Sequence, residues 1–151
     1  MADYSFLTER LAVGGAIYTR ENLEELKHAG FTHIINTQVE FDDRTLLVSG
    51  DHEPVVLDLG TDDDFQPKPA ELFFRGVRFA LEALERPEAK VLVHCASGIH
   101  RGPMVALALL RVLGYSRRDA LALIRTWRPQ ADFPDAYLDS VEAFLAEWQV
   151  R

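Results

Sequence analysis

The 151 residues weigh 17.1 kDa, are 48% hydrophobic and 26% charged, and contain nine Gly and seven Pro, a composition close to the globular average that excludes disordered, collagen-like and disulfide-scaffold classes. Sixteen Lys+Arg against 24 Asp+Glu leave a net charge of -8, which opposes broad attraction to nucleic acid or anionic lipid, so a phosphate-bearing partner needs a local cationic site. The single cysteine, Cys95, excludes an intramolecular disulfide and a Cys-rich zinc site.

Short apolar runs bounded by turn residues predict strands at Leu11-Ala12-Val13, His33-Ile34-Ile35, Val55-Val56-Leu57 and Val91-Leu92-Val93. The last has no polar alternation, as expected of a central strand covered on both faces. Helical patterns run from Arg20 to Ala29 with Gly30 as a stop, Pro69 to Leu84, Pro103 to Leu113 before Gly114, Ser116 to Trp127, and Pro134 to Trp148. Leu72, Phe73, Val77, Ala80 and Leu84 recur at spacings of three and four, as do Ala120, Leu121, Ile124 and Trp127, and read as core stripes. No internal repeat or Ser/Gly linker interrupts the chain. The expectation is one α/β domain over residues 1–151, with a mixed, mostly parallel central sheet of four to five strands flanked by helices. The longest apolar run, Met104 to Leu110, is far short of the ~18–20 residues that span a bilayer, and Met1-Ala2-Asp3-Tyr4 lacks a signal peptide's layout. The expected setting is therefore cytoplasmic, with no membrane or nucleic-acid partner and a monomeric chain.

One segment carries chemistry. An apolar strand ends at Cys95, a loop of small residues (Ala96, Ser97, Gly98, Ile99, His100) follows, and Arg101 opens a helix whose first turn contains Pro103. Small residues and Gly98 allow successive backbone N–H groups to curl inward as an anion-binding nest, to which a helix N-terminus adds its own donors. Oriented amides and the Arg101 guanidinium both favour a thiolate, so Cys95 is expected to ionise below its reference of ~8.5 and to act as a nucleophile. The planar fork of Arg101 suits two phosphate oxygens in a way that Lys cannot match. Ala96 to Arg101 are thus the phosphate-binding candidates. No Gly-x-Gly-x-x-Gly, Gly-x-x-x-x-Gly-Lys or Gly-x-Ser-x-Gly competes with this loop, and neither a cofactor nor a metal is expected.

His94-Cys95 to Arg101 resembles the His-Cys-x5-Arg signature of the cysteine-dependent protein phosphatases. The small size of the chain and an acidic loop about thirty residues upstream resemble the dual-specificity branch. Leu11-Ala12-Val13-Gly14-Gly15, Gly30-Phe31-Thr32-His33-Ile34-Ile35-Asn36 and Arg128-Pro129 match its usual landmarks, so the resemblance spans roughly the whole chain. Low-molecular-weight phosphatases and arsenate reductases share a Cys-x5-Arg loop near the N-terminus with the acid downstream, the opposite order.

The resemblance implies a phosphomonoesterase of the protein-tyrosine or dual-specificity type: Cys95 attacks phosphorus, a phosphocysteine forms, and water hydrolyses it. Its substrate would be a phosphorylated protein or a small phosphomonoester. A carboxylic acid must protonate the leaving oxygen. Asp63, 32 residues before Cys95, reads as Asp-x-x-x-Pro with Pro67, whereas Asp64 reads as Asp-Phe-x-Pro; both are candidates, ahead of Asp62. Mutual repulsion in the triplet is expected to raise at least one of these carboxyls. The family usually has Ser or Thr after the signature arginine, and here that position is Gly102, which keeps open a reading as a phosphate-recognising module with little turnover. Among the remaining candidates, His94 is read as positioning the loop or as a structural strand-end histidine, and His100 as an exposed imidazole ahead of a role in favouring anionic groups near the phosphate. Arg128, Pro129 and Asp135 are read as support for the C-terminal helix. Neutral Ala96, Ser97 and Ile99 argue against highly charged lipid headgroups.

Overall fold

The computed structural model describes residues 1–50 and 52–151, and its elements follow the chain as β1 (Tyr4–Phe6), β2 (Leu11–Gly14), α1 (Arg20–His28), β3 (His33–Gln38), a short 3-10 helix (Asp43–Leu46), β4 (Val55–Thr61), α2 (Ala70–Leu84), β5 (Val91–His94), α3 (Arg101–Val112), α4 (Arg117–Trp127) and α5 (Asp135–Val150). The five strands form one sheet in the order β1-β2-β5-β3-β4, parallel except for the antiparallel β1–β2 pair, which makes it the mixed, mostly parallel α/β sheet that the sequence predicts. β5 lies at the centre, and its Val91, Leu92 and Val93 are buried on both faces.

Alternation along the strands decides which side each residue serves. Ala12, Ile34 and Leu92 turn towards α1, where Ile17, Leu23, Leu26 and Phe31 cover them. Leu11, Val13, Ile35, Val91 and Val93 turn to the opposite face and join α2 to α5 in the larger core. α3 runs through the middle of that core, buried along its length from Arg101 to Leu110.

Element ends follow local chemistry. Thr19 and Ser116 cap α1 and α4, accepting from Asn22 N–H at 3.1 Å and Asp119 N–H at 3.0 Å, so Ser116 precedes its helix rather than belonging to it. Gly30 ends the α1 segment at φ +96°, a left-handed conformation that suits glycine. β3 and β4 extend beyond their apolar runs, through Asn36, Thr37 and Gln38 in β3 and to Thr61 in β4, because parallel pairing continues where the hydrophobic pattern stops. β1 lies outside the expectation: three half-buried residues on an edge carry too little apolar signal to announce a strand.

On the helical side Phe144 is fully buried, with Phe73, Phe74 and Trp148 at ring-centroid distances of 5.5, 5.0 and 5.8 Å. Replacing Phe144 by Ala should cost about 3–5 kcal/mol, the usual range for emptying such a position. An unfolding free energy from urea denaturation that fell by less than a quarter of this amount would show that the cluster collapses around the gap.

Candidate active site

The loop between β5 and α3 is shaped by where its carbonyl groups go. Cys95 C=O faces His94 Nδ1 at 3.1 Å, Ala96 C=O accepts from Ala16 N–H at 2.9 Å, and Ile99 C=O accepts from Asp132 N–H at 2.8 Å. Ser97 and Gly98 C=O accept from Arg128 at 3.0 and 3.2 Å, and His100 C=O enters the first turn of α3 through Met104 N–H at 3.0 Å. Every carbonyl from Ala96 to His100 therefore has a donor outside the loop's concave side. Among the described residues, the N–H groups of Ala96, Ser97, Ile99 and His100 have no protein acceptor, whereas that of Gly98 donates to Cys95 Sγ at 3.2 Å. Such an arrangement of amides is an anion-binding nest. Gly98 is required twice over: its φ is +67°, and a Cβ there would lie 2.2 Å from Arg128 Nη2 and 2.8 Å from Gly14 C=O.

The two arginines at the loop are used differently. Arg128 is buried, and its five N–H groups all find acceptors: Gly98 C=O, Ser97 C=O, Ser5 Oγ and both carboxylate oxygens of Asp3. The Arg128 guanidinium in turn holds the Asp3 carboxyl below the usual carboxylate range. Arg101 is also buried, but only three of its five N–H groups are engaged. Nη1 donates to Glu40 Oε1 at 2.7 Å and Thr61 C=O at 2.8 Å, and Nη2 donates to Glu40 Oε2 at 2.8 Å. Its Nε–H is buried without an acceptor among the described residues. The side of the guanidinium formed by Nε and the second Nη2 hydrogen is a two-pronged fork with no carboxylate on it. The Glu40 contact raises Arg101 above its ordinary value and pulls Glu40 down to about 2.

Cys95, Ala96, Ser97, Ile99, His100, Arg101 and Asp63 line one cavity of about 150 Å³. The sequence candidates thus meet there, with Gly98 behind the wall as the loop's hinge. A larger groove of about 970 Å³ runs past Ser5 to Arg10 and Trp127, but the cysteine and the amides without acceptors lie in the smaller cavity; chemistry, not volume, marks the site. Among the described residues no three His, Cys, Asp or Glu side chains are grouped to hold a metal ion.

The structure separates the two acid candidates. Asp63 turns into the cavity, where its Oδ2 faces His100 Nδ1 at 2.9 Å and its Oδ1 accepts from Tyr137 O–H at 2.9 Å. Asp64 turns away to Lys68 Nζ at 2.9 Å, and that ammonium holds its carboxyl below the usual range. For Asp64 this reverses the expectation of mutual repulsion, because the neighbouring side chains take different partners. Burial, the largest cause, pushes the Tyr137 phenol up to about 12, so it stays protonated and donates to Asp63.

Further corrections concern neighbouring side chains. His94 positions the loop: its ring is fully buried between Cys95 C=O and the Asp43 carboxylate of the 3-10 helix. His100 is not an exposed imidazole, since its side chain is 20% exposed, lies between Asp63 and Asp132, and meets the Phe65 ring at 4.8 Å. Arg128 supports the phosphate loop itself rather than the C-terminal helix alone. Glu40, Asp43 and Tyr137 carried no sequence signal, because each acquires its role only through long-range contact. For Arg128 the Arg-Pro landmark was visible, but its partners were not.

The family model described as "Dual specificity phosphatase, catalytic domain" matches residues 15–145. The chain belongs to this dual specificity phosphatase family. Its fold is similar to that of PTPMT1 (TM-score 0.79, 22% identity, covering 98% of this chain and 97% of that one). It is likewise similar to the human tyrosine phosphatase-like serine/threonine/tyrosine-interacting protein (TM-score 0.80, 21% identity, 99% of each chain). Tk-PTP in the active form is 26% identical, with a TM-score of 0.72 over 99% of this chain and 97% of that one. No curated protein matches it in sequence.

The Arg101–Glu40 pair has a pH signature. Glu40 ionises far below its value in an unfolded chain, so the pair's contribution to stability is complete above the ordinary carboxylate range and is lost as pH falls from there through about 2. Glu40→Gln should therefore be less stable than the parent at neutral pH, with the gap closing as acid is added; urea midpoints along a pH series would show it. A gap independent of pH would mean that packing, not charge, holds Glu40.

Proposed function

We propose that this dual specificity phosphatase family member is an active phosphomonoester hydrolase that works through a phosphocysteine on Cys95. The observation that carries the reading is the unmatched fork edge of Arg101 facing the same cavity as Cys95 Sγ and four amides without acceptors. A phosphoryl group supplies the oxygen acceptors that these donors lack, and preorganised donors of this kind stabilise charge that grows in the transition state.

Chemically, Cys95 Sγ attacks phosphorus as the bond to the leaving oxygen breaks, and Asp63 gives that oxygen a proton. The Asp63 carboxylate then takes a proton from water, whose oxygen attacks phosphorus and releases the Cys95 thiolate. A cavity of about 150 Å³ is smaller than the ~300–1,000 Å³ of drug-sized pockets, so it holds little beyond the phosphoryl group. A shallow site of this size supports action on both alkyl and aryl monoesters. Ala96, Ser97 and Ile99 add no cation beside Arg101, which supports monophosphorylated rather than densely charged substrates. PTPMT1, by contrast, has been solved in complex with PI(5)P.

Cys95→Ser should abolish turnover of an aryl phosphate. Asp63→Asn should cut kcat/KM for an alkyl phosphate by about 100-fold or more, while Asp64→Asn changes it little. Equal effects of the two Asp variants would overturn the choice of Asp63. A parent protein that binds tungstate tightly but turns over no phosphate ester would favour the binding-module reading instead.

Gly102 supports that second reading in part, since the position after Arg101 offers no hydroxyl to ease departure of the Cys95 thiolate. A Cβ at Gly102 would meet Cys95 N and His94 Cα and C at 3.4 Å, ordinary contact distances, so a serine fits without displacing the loop. The parent enzyme should accumulate phosphocysteine, seen as a product burst, and Gly102→Ser should speed the steady phase about tenfold, the value of one hydrogen bond of ~1.4 kcal/mol in that step. An unchanged steady rate in the variant, with or without a burst, would refute this account.

A further inference from the structure

We propose that His100 is a positioning residue that shares the proton of Asp63, so that the proton donor is a His100–Asp63 pair rather than a lone carboxylic acid. The proposal rests on the phosphatase reading above. An unassisted carboxylic acid gives up its proton near pH ~4, which leaves a poor general acid at neutral pH. The surroundings of Asp63 solve this problem by geometry.

Oδ1 of Asp63 accepts from the Tyr137 hydroxyl at 2.9 Å; that hydroxyl accepts the Phe65 N–H at 3.3 Å, and its other acceptor, Asp62 C=O, is farther at 3.4 Å, so the shorter bond is the one to Asp63. Oδ1 is thereby an acceptor, and the exchangeable proton belongs to Oδ2. Oδ2 faces His100 Nδ1 at 2.9 Å. At that distance either the imidazole donates to a carboxylate or a carboxylic acid donates to the imidazole, and in both cases one proton lies between the two atoms. Such a pair loses it in a step that belongs to both groups. The other ring nitrogen, Nε2, stands 3.5 Å from Asp132 Oδ2. Asp132 is 72% exposed, so this contact is weak as an ion pair, but it favours hydrogen on Nε2 and leaves Nδ1 as the exchanging nitrogen.

The other groups near the imidazole leave this arrangement undisturbed. Arg101, the next residue, has its charge met by Glu40; Lys68 is engaged by Asp64 and by Asp62 C=O; and Phe65 presents a ring edge at 4.8 Å. Cys95, on the same loop, is the nucleophile and is buried. When the ester P–O bond breaks, the leaving oxygen takes the shared proton through Asp63 Oδ2, leaving a carboxylate beside a neutral imidazole. Water then returns a proton to the pair as its oxygen attacks phosphorus and the S–P bond breaks.

The test compares an alkyl phosphate, whose leaving oxygen needs a proton, with p-nitrophenyl phosphate, which does not. At neutral pH His100→Gln should lower kcat/KM for the alkyl ester about 100-fold and for the aryl ester no more than about threefold. Adding His100→Gln to Asp63→Asn should cause no further loss on the alkyl ester. Equal losses on both esters at every pH, or losses that add in the double variant, would overturn the proposal by making His100 a loop-shaping residue. Aryl turnover that survived Cys95→Ser would instead strike the phosphatase reading, and so tells the two failures apart.

Discussion

The cradle depends on turning peptide groups around. A loop can offer its N–H groups to an anion only if its carbonyls are satisfied elsewhere, because both ends of each peptide are rigidly linked and a buried carbonyl without a donor is costly. Here the donors come from four directions: the β2–α1 connection through Ala16, the first turn of α3 through Met104, the segment before α5 through Asp132, and above all Arg128. Arg128 alone takes two consecutive carbonyls, at the point where Gly98 adopts the left-handed conformation that reverses the chain.

A comparison of the two buried arginines separates architecture from chemistry. Arg128 has every donor matched, and its charge is met by Asp3, as a permanent structural cation requires. Arg101 is held just firmly enough to have one orientation, by Glu40 and Thr61 C=O, yet keeps one edge of its fork unmatched. Two groups of the same type, on opposite sides of one loop, are distinguished only by how completely their hydrogen bonds are filled. The acid follows a similar logic. Asp64 is fully engaged by Lys68 outside the cavity, while the neighbouring Asp63 has partners that leave it facing the phosphate loop.

Local features of this molecule were readable from the sequence, and distant ones were not. Val91 to Pro103 declares a strand, a small-residue loop and a proline-started helix, because each is encoded by neighbours in the chain. The two-sided burial of β5 was legible from its unbroken apolar run. Choosing between Asp63 and Asp64 was beyond sequence spacing, since the deciding partners, His100, Tyr137 and Lys68, meet them only after α5 packs and the loop after β4 turns. Glu40 sits two residues past the end of β3 with no pattern around it; only the parallel pairing of β3 with β5 places it against Arg101. β1 was silent for a different reason: its contribution is Asp3, a polar residue just outside a three-residue edge strand.

The span of the Arg128 contacts has a consequence for how the site comes into being during synthesis. Cys95, its loop and Arg101 leave the ribosome before Arg128, Asp132 and Tyr137, and chains emerge at only ~5–20 residues per second. For a short interval the nascent polypeptide carries Cys95 without the guanidinium that turns the Ser97 and Gly98 carbonyls outward, or the phenol that donates to Asp63. That guanidinium must then pair with Asp3, 125 positions away, so closure of the cradle joins two distant parts of the chain. The loop's outward carbonyl bonds are thus completed late, after the rest of the sheet can exist, and a shorter nascent chain has Cys95 and Arg101 beside Ser97 and Gly98 carbonyls that still lack the Arg128 donor.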